Sequence, residues 1–244
     1  MATISVVARK GRERLWVKLA ETTPAFANAL RRAVLAHLPS FAIDEVHVYE
    51  NTSPLYNEYV AHRVGLVPLT WEEGVADDAK IAFSLESEGP GMVTSGDLKS
   101  TDEVIKVHNP KLPIVKLGQG QKLRLDGFAI KGMGRTHAKF QCAHASYTYW
   151  TDLKSDKKRA AVDAVKRLLP RADVDEDLAL TNPHEVDVLS VADQLEEAGV
   201  AVKPREDAFL FQVESYNNIP AGQQLARAVK TLAQKCEELE DFKI

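Results

Sequence analysis

The two ends of this chain carry matching strand-and-helix modules, and the long stretch between them has a different texture. Near the N-terminus, Ile4 to Ala8 alternate, Lys10, Gly11 and Arg12 interrupt, and Leu15, Val17 and Leu19 resume with Arg14, Trp16 and Lys18 between them. A period of two sends successive side chains to opposite faces of a strand, so a β-hairpin is predicted here. Thr23 then offers a hydroxyl as helix N-cap, and Pro24 suits the first helical position, where its missing N–H has no partner to lose. Phe26, Leu30, Ala33, Val34 and Leu38 recur at helical spacing until Pro39 ends the run, a stripe that must face a core. Near the C-terminus, Phe209, Phe211 and Val213 alternate with Leu210, Gln212 and Glu214, and Pro220 opens a last helix. Its apolar residues Leu225, Val229, Leu232, Cys236 and Leu239 are spaced 4, 3, 4 and 3, a heptad seam.

Between these modules the sequence first continues the N-terminal one, with a strand expected from Phe41 to Tyr49 and a short helix from Leu55 to Val64. From about Glu72 to Tyr149, short apolar runs are punctuated by Gly89-Pro90-Gly91, Asn109-Pro110, Pro113 and several glycines, which indicates mostly β structure. Thr151 to Glu206 is charged, with helix-like stretches near Lys157 to Leu169 and Leu189 to Ala198. The expected fold class is therefore α+β. One split domain, residues 1–50 plus 206–244, takes its strands and two helices from both termini. An inserted domain spans 51–205, mostly β to about 150 and then charged and partly helical, without a cysteine cluster.

Fully burying a leucine or valine is worth roughly 1.5–3 kcal/mol as an upper figure, so a terminal helix with such a seam needs a surface to pack against. Its own domain or a partner supplies it, and periodicity leaves both open. A split domain has few layers of its own and gains by burying its helices against a second chain, which makes dimerisation a natural expectation.

Charge narrows the function classes. Lys plus Arg number 31 against 35 Asp plus Glu, a net charge of −4, the wrong sign for a protein that grips phosphates with its whole surface. No apolar run approaches the ~20 residues that cross a bilayer, and the start lacks the basic and long apolar regions of a secretion signal. With only Cys142 and Cys236 present, neither a disulfide framework nor a paired-cysteine metal site is expected, and a cytoplasmic setting fits.

The remaining constellations are weak. His137, Cys142 and His144 form the only local set of metal-ligand types, but on a strand 142 and 144 share a face that excludes 137. Gly132-Met133-Gly134-Arg135 with Lys139 lacks the Gly-Lys-Ser/Thr ending of a phosphate loop, and a tight turn accounts for its glycines better. Glu58 and His62 sit at i, i+4 on the expected helix with no nucleophile beside them, so a solvated pair is the simpler account. Asn28, Arg31 and Arg32 either grip acidic groups or form an exposed, soluble face. No catalytic constellation rises above chance. A nucleic-acid-binding module using His137, Lys139 and nearby basic residues is the alternative from another class.

The strings Phe26-Ala27-Asn28-Ala29-Leu30-Arg31-Arg32, Val48-Tyr49-Glu50-Asn51-Thr52-Ser53 and Ala61-His62-Arg63-Val64-Gly65-Leu66-Val67-Pro68-Leu69 resemble the D-type subunit of archaeal RNA polymerase in order and spacing. Val93 to Leu98, Leu117 to Gln121 and Gly132 to Phe140 resemble that family's middle domain, and Phe209 to Leu239 its ending. The resemblance covers about two thirds of the chain. It implies a non-catalytic scaffold that heterodimerises with the smaller subunit L, then receives subunits N and P and the second-largest subunit. By similarity the first and last helices form the heterodimer core, through Phe26, Leu30 and Val34 and through Leu225, Val229, Leu232, Cys236 and Leu239. Asn28, Arg31 and Arg32 sit where relatives contact a large subunit. Some members carry a cysteine-rich insertion holding an iron-sulfur cluster, or zinc in eukaryotic relatives. Leu153 to Arg205 here contain no cysteine, so no cofactor is expected.

Overall fold

A computed structural model of the chain describes residues 2–240, so position 1 and positions 241–244 of the expected terminal segments lie outside the described residues. The protein is α+β, and its contacts divide it into two discontinuous units, Met1–Arg32 with Ala145–Glu214 and Ala33–His144 with Ser215–Ile244. Among the described residues no helix is long and apolar enough to cross a membrane.

The first unit holds a four-stranded sheet in the order β1-β2-β10-β9, from β1 (Thr3–Lys10), β2 (Arg14–Ala20), β9 (Ala143–Lys154) and β10 (Ala201–Ser215). The hairpin is where alternation put it, and Gly11 takes a left-handed φ of 61° in its turn. β2 pairs antiparallel with both neighbours, Val6 and Phe211 flanking Val17, and Ile4 and Phe209 flanking Leu19. Directly opposed residues share a face. Leu15, Val17, Leu19, Phe209, Phe211 and Val213 thus form one buried apolar surface built from both ends of the sequence.

Helix α1 (Pro24–Arg32) begins as expected, the Thr23 hydroxyl accepting the Phe26 amide at 3.3 Å, and continues into a π-helical turn at Ala33–His37. Between β9 and β10, helices α3 (Lys158–Leu168) and α4 (Ala192–Glu197) surround a small separate core that includes Leu153, Val165, Leu195 and Val200.

The second unit is organised by the sheet β3-β8-β4-β6, from β3 (Pro39–Asn51), β4 (Ile81–Glu88), β6 (Lys99–Ser100) and β8 (Lys122–Met133). β5 (Gly91–Thr94) pairs with β7 (Pro113–Leu117) beside it. Helix α2 (Asn57–Gly65) buries Val60 and Val64 in a core with Phe41, Ile43, Phe83, Leu85 and Leu125. The last helix, α5 (Ala221–Glu240), packs against the π turn.

This division falls elsewhere than the boundaries 1–50 plus 206–244 and 51–205. Strand β3 pairs along β8 from Pro39↔Met133 to Asn51↔Leu123, which binds 39–51 to the β-rich unit. Residues 145–205 supply β9 and the start of β10, neighbours in the sheet of the first unit. The glycines at 132 and 134 also serve close approach more than turning. A Cβ on Gly132 would stand 2.7 Å from the Phe140 ring, and one on Gly134 would stand 2.1 Å from the Leu35 carbonyl oxygen. The Arg135 amide donates to the Ala36 carbonyl at 3.0 Å, so this loop satisfies backbone acceptors at the π turn.

Candidate partner-binding surface

Helix α5 is anchored by its first half only. Ala221, Gln224, Leu225 and Ala228 are buried, and no residue from Val229 to Glu240 is. The seam then runs into solvent: Val229 is 39% exposed, Leu232 half-buried, Cys236 exposed and Leu239 74% exposed. Contiguous exposed apolar side chains are the kind of feature that marks interaction sites in general.

The eight seam and stripe residues do not share one environment. Leu30 and Val34 are 0% and 1% exposed, and Leu225 is 6% exposed, so this chain's own core takes them and they are out of a partner's reach. Phe26, on the first turn of α1, is exposed.

The base of α5 is held by polar contacts that periodicity did not flag. Gln224 is fully buried, donates through Nε2 to Asn217 Oδ1 at 2.8 Å, and accepts at Oε1 from Arg227 Nη1 at 2.9 Å and from the Cys142 thiol at 3.7 Å. Arg227 Nη2 donates to the Pro39 carbonyl at 3.2 Å, and its guanidinium lies 4.7 Å from the Trp71 ring centroid. Desolvation pulls Arg227 below its ordinary pKa. The only sequence signal for this cluster is a glutamine one residue before a seam leucine.

The two cysteines differ in a way that labelling will read. Burial pushes the Cys142 thiol up to about 11, which leaves little thiolate near neutral pH, whereas Cys236 is exposed on the seam. Near pH 7.5 an alkylating reagent is expected to modify Cys236 alone in the free chain, checked by intact mass and peptide mapping. Rapid modification of Cys142 would contradict this packing.

On α1, Arg31 donates to Asn28 Oδ1 from Nε at 3.2 Å and from Nη2 at 2.9 Å, while Arg32 is exposed. The pair therefore splits: Asn28 orients Arg31, and Arg32 is the arginine offered to solvent.

The other candidate sets do not assemble. Cys142 is buried and His144 exposed, so they do not share a face as alternation suggested, because β9 begins only at Ala143. His137 caps a short turn, its Nδ1 accepting the Lys139 amide at 3.1 Å. Among the described residues no three His, Cys, Asp or Glu side chains are grouped to hold a metal. The Lys139 ammonium is largely buried and paired with Asp44, which takes it away from any phosphate. Glu58 and His62 are exposed on α2.

A family model described as the RNA polymerase Rpb3/RpoA insert domain matches residues 46–148, close to the 33–144 stretch of the second unit. The chain is 36% identical over 225 residues to the DNA-directed RNA polymerase subunit Rpo3 of Pyrococcus furiosus, covering 87% of this chain and 86% of that protein. It is 37% identical over 227 residues to the Rpo3 subunit of Thermococcus kodakarensis, with coverage of 87% and 86%. To that of Halobacterium salinarum it is 34% identical over 251 aligned residues, with coverage of 97% and 95%. Similarity of this extent, spanning both units, shows that the chain belongs to the family of DNA-directed RNA polymerase subunit Rpo3, the archaeal D-type subunit, and is a component of that polymerase.

Proposed function

We propose that this chain is the assembly platform of its polymerase. It pairs through α5 with a smaller L-like subunit, and the pair receives the second-largest subunit and the small subunits N and P. The observation that carries this reading is the bare apolar seam of Val229, Leu232, Cys236 and Leu239 on a helix whose first half is anchored. Phe26 is the exposed residue of α1 assigned to the same role. Leu30, Val34 and Leu225 support these contacts from within the chain's core and do not themselves make them.

The chain contributes no catalytic group on this reading, since its candidate acid-base pair is solvated and its thiol of raised pKa is buried. It binds no iron-sulfur cluster and no zinc, because the segment that carries cysteines in some relatives has none here. DNA is met only through the assembled enzyme, and the setting is cytoplasmic. Co-expression with an L-like chain tests the reading: a stable complex of both chains is expected, and a free chain that ignores L would refute it.

Arg32 is the large-subunit contact, with Asn28 and Arg31 as its support. Arg32→Ala is expected to weaken capture of the large subunit several-fold and leave the pair with L intact, because only an exposed guanidinium is removed. Native mass analysis of the reconstituted assembly reads both quantities, and full recovery of the large subunit would remove Arg32 from the contact.

A further inference from the structure

The inner face of α5 is smooth. Ala221 and Ala228 contribute single methyl groups and Leu225 one branched side chain, which is little relief to fix the rotation of a helix. At about 100° per residue, the seam prolongs this buried face along the helix, while Gln224, Arg227 and Thr231 fall together on one side of it. The polar side chains on that side are tied to three separate parts of the second unit. Arg227 reaches the start of β3 at Pro39 and the ring of Trp71, and Gln224 meets the thiol of Cys142 just before β9. Trp71 is itself clamped to the turn that precedes α5, its amide donating to Asn218 Oδ1 at 2.6 Å and its carbonyl accepting from Asn218 Nδ2 at 2.9 Å. Thr231 closes the row by donating to the Arg227 carbonyl at 3.0 Å.

Buried polar groups contribute little net stability compared with well-packed apolar replacements, but they penalise every arrangement that leaves them unpaired. A rotation or slide of α5 would separate Gln224 and Arg227 from Pro39, Trp71 and Cys142 at once. It would also turn Val229, Leu232, Cys236 and Leu239 in another direction. We propose that Gln224 and Arg227 are positioning residues of the partner interface: they fix the direction in which the seam faces and so determine which apolar helical surface the chain accepts. This rests on the pairing reading above and assigns the cluster a role in specificity and not in stability.

The full-length double variant Gln224→Leu/Arg227→Met tests it, with an L-like chain as the probe and the unaltered chain measured alongside. Expected are an unfolding midpoint close to that of the unaltered chain, pairing weakened at least ~10-fold, and faster alkylation of Cys236 in the mixture with L. A folded double variant that pairs as tightly as the unaltered chain overturns the proposal. Should the double variant not fold, Gln224→Met, which keeps the Arg227 bond to Pro39, is measured the same way. Weakened pairing by this folded variant supports the proposal, and unchanged pairing sinks it. Loss of folding in both assigns the cluster to stability and also overturns the positioning role. If the unaltered chain fails to pair, the platform reading falls instead, which keeps the two failures distinct.

Discussion

Placing a carboxylate at position 232 is expected to abolish pairing while leaving the free chain folded. Leu232 lies in the exposed half of α5 between Val229 and Cys236, so in the isolated molecule Leu232→Glu puts a charge where water reaches it. Surface substitutions of this kind change stability by about 0.5 kcal/mol or less. In the complex the same carboxylate would face an apolar partner, and an unpaired ion deprived of water costs several kcal/mol. At 1.4 kcal/mol per tenfold change, affinity should fall by roughly two to three orders of magnitude. Urea unfolding of the single chain and the mass of the co-expressed complex separate the two effects. An undiminished heterodimer would show that the seam faces elsewhere.

A methyl group at position 134 is expected to damage the fold itself. In Gly134→Ala the new Cβ would stand 2.1 Å from the Leu35 carbonyl oxygen and 3.0 Å from Gln141 Cγ. The glutamine can swing away, but the carbonyl belongs to the backbone of the π turn, next to the acceptor of the Arg135 amide. Relief therefore needs a backbone shift, which costs about 1–3 kcal/mol in packed regions. The urea midpoint should drop with the slope unchanged, as for a pure loss of stability. Because α5 packs against this turn, the variant should also show faster hydrogen exchange in the first turns of that helix. An unaltered midpoint would mean that the loop stands farther from Leu35.

Local signals were legible where one element decided its own form. Thr23 and Pro24 opened α1, alternation marked β1 and β2, and the seam spacing located α5. Strand β10 begins at Ala201, well before the apolar alternation at Phe209; its pairing with β2 starts only at Ala208, its other neighbour is β9, and the charged residues of its first part are mostly solvated and carry no apolar alternation. Unit membership was less legible. A strand joins the sheet of its hydrogen-bond partners, and β3 takes a partner some eighty residues away in β8, whose identity no window around residues 39–51 contains. An apolar stripe also reports only that a side chain avoids water. It does not distinguish Leu30, which is buried, from Val229, which stays exposed. The polar anchors of α5 were invisible for the converse reason: Gln224 and Arg227 look like surface residues until Asn217, Cys142 and Pro39 are brought beside them.

The pairing of β2 with β10 has a consequence for synthesis on the ribosome. At about 5–20 residues per second, the hairpin emerges roughly 10–40 s before the strand that completes its sheet. During that interval Val17 and Leu19 lack the cover of Phe209 and Phe211, a period of exposure to aggregation and to chaperones. A product halted before residue 201 has neither the finished sheet nor α5. Such a product lacks Val229, Leu232, Cys236 and Leu239 together with the strand that covers Val17 and Leu19.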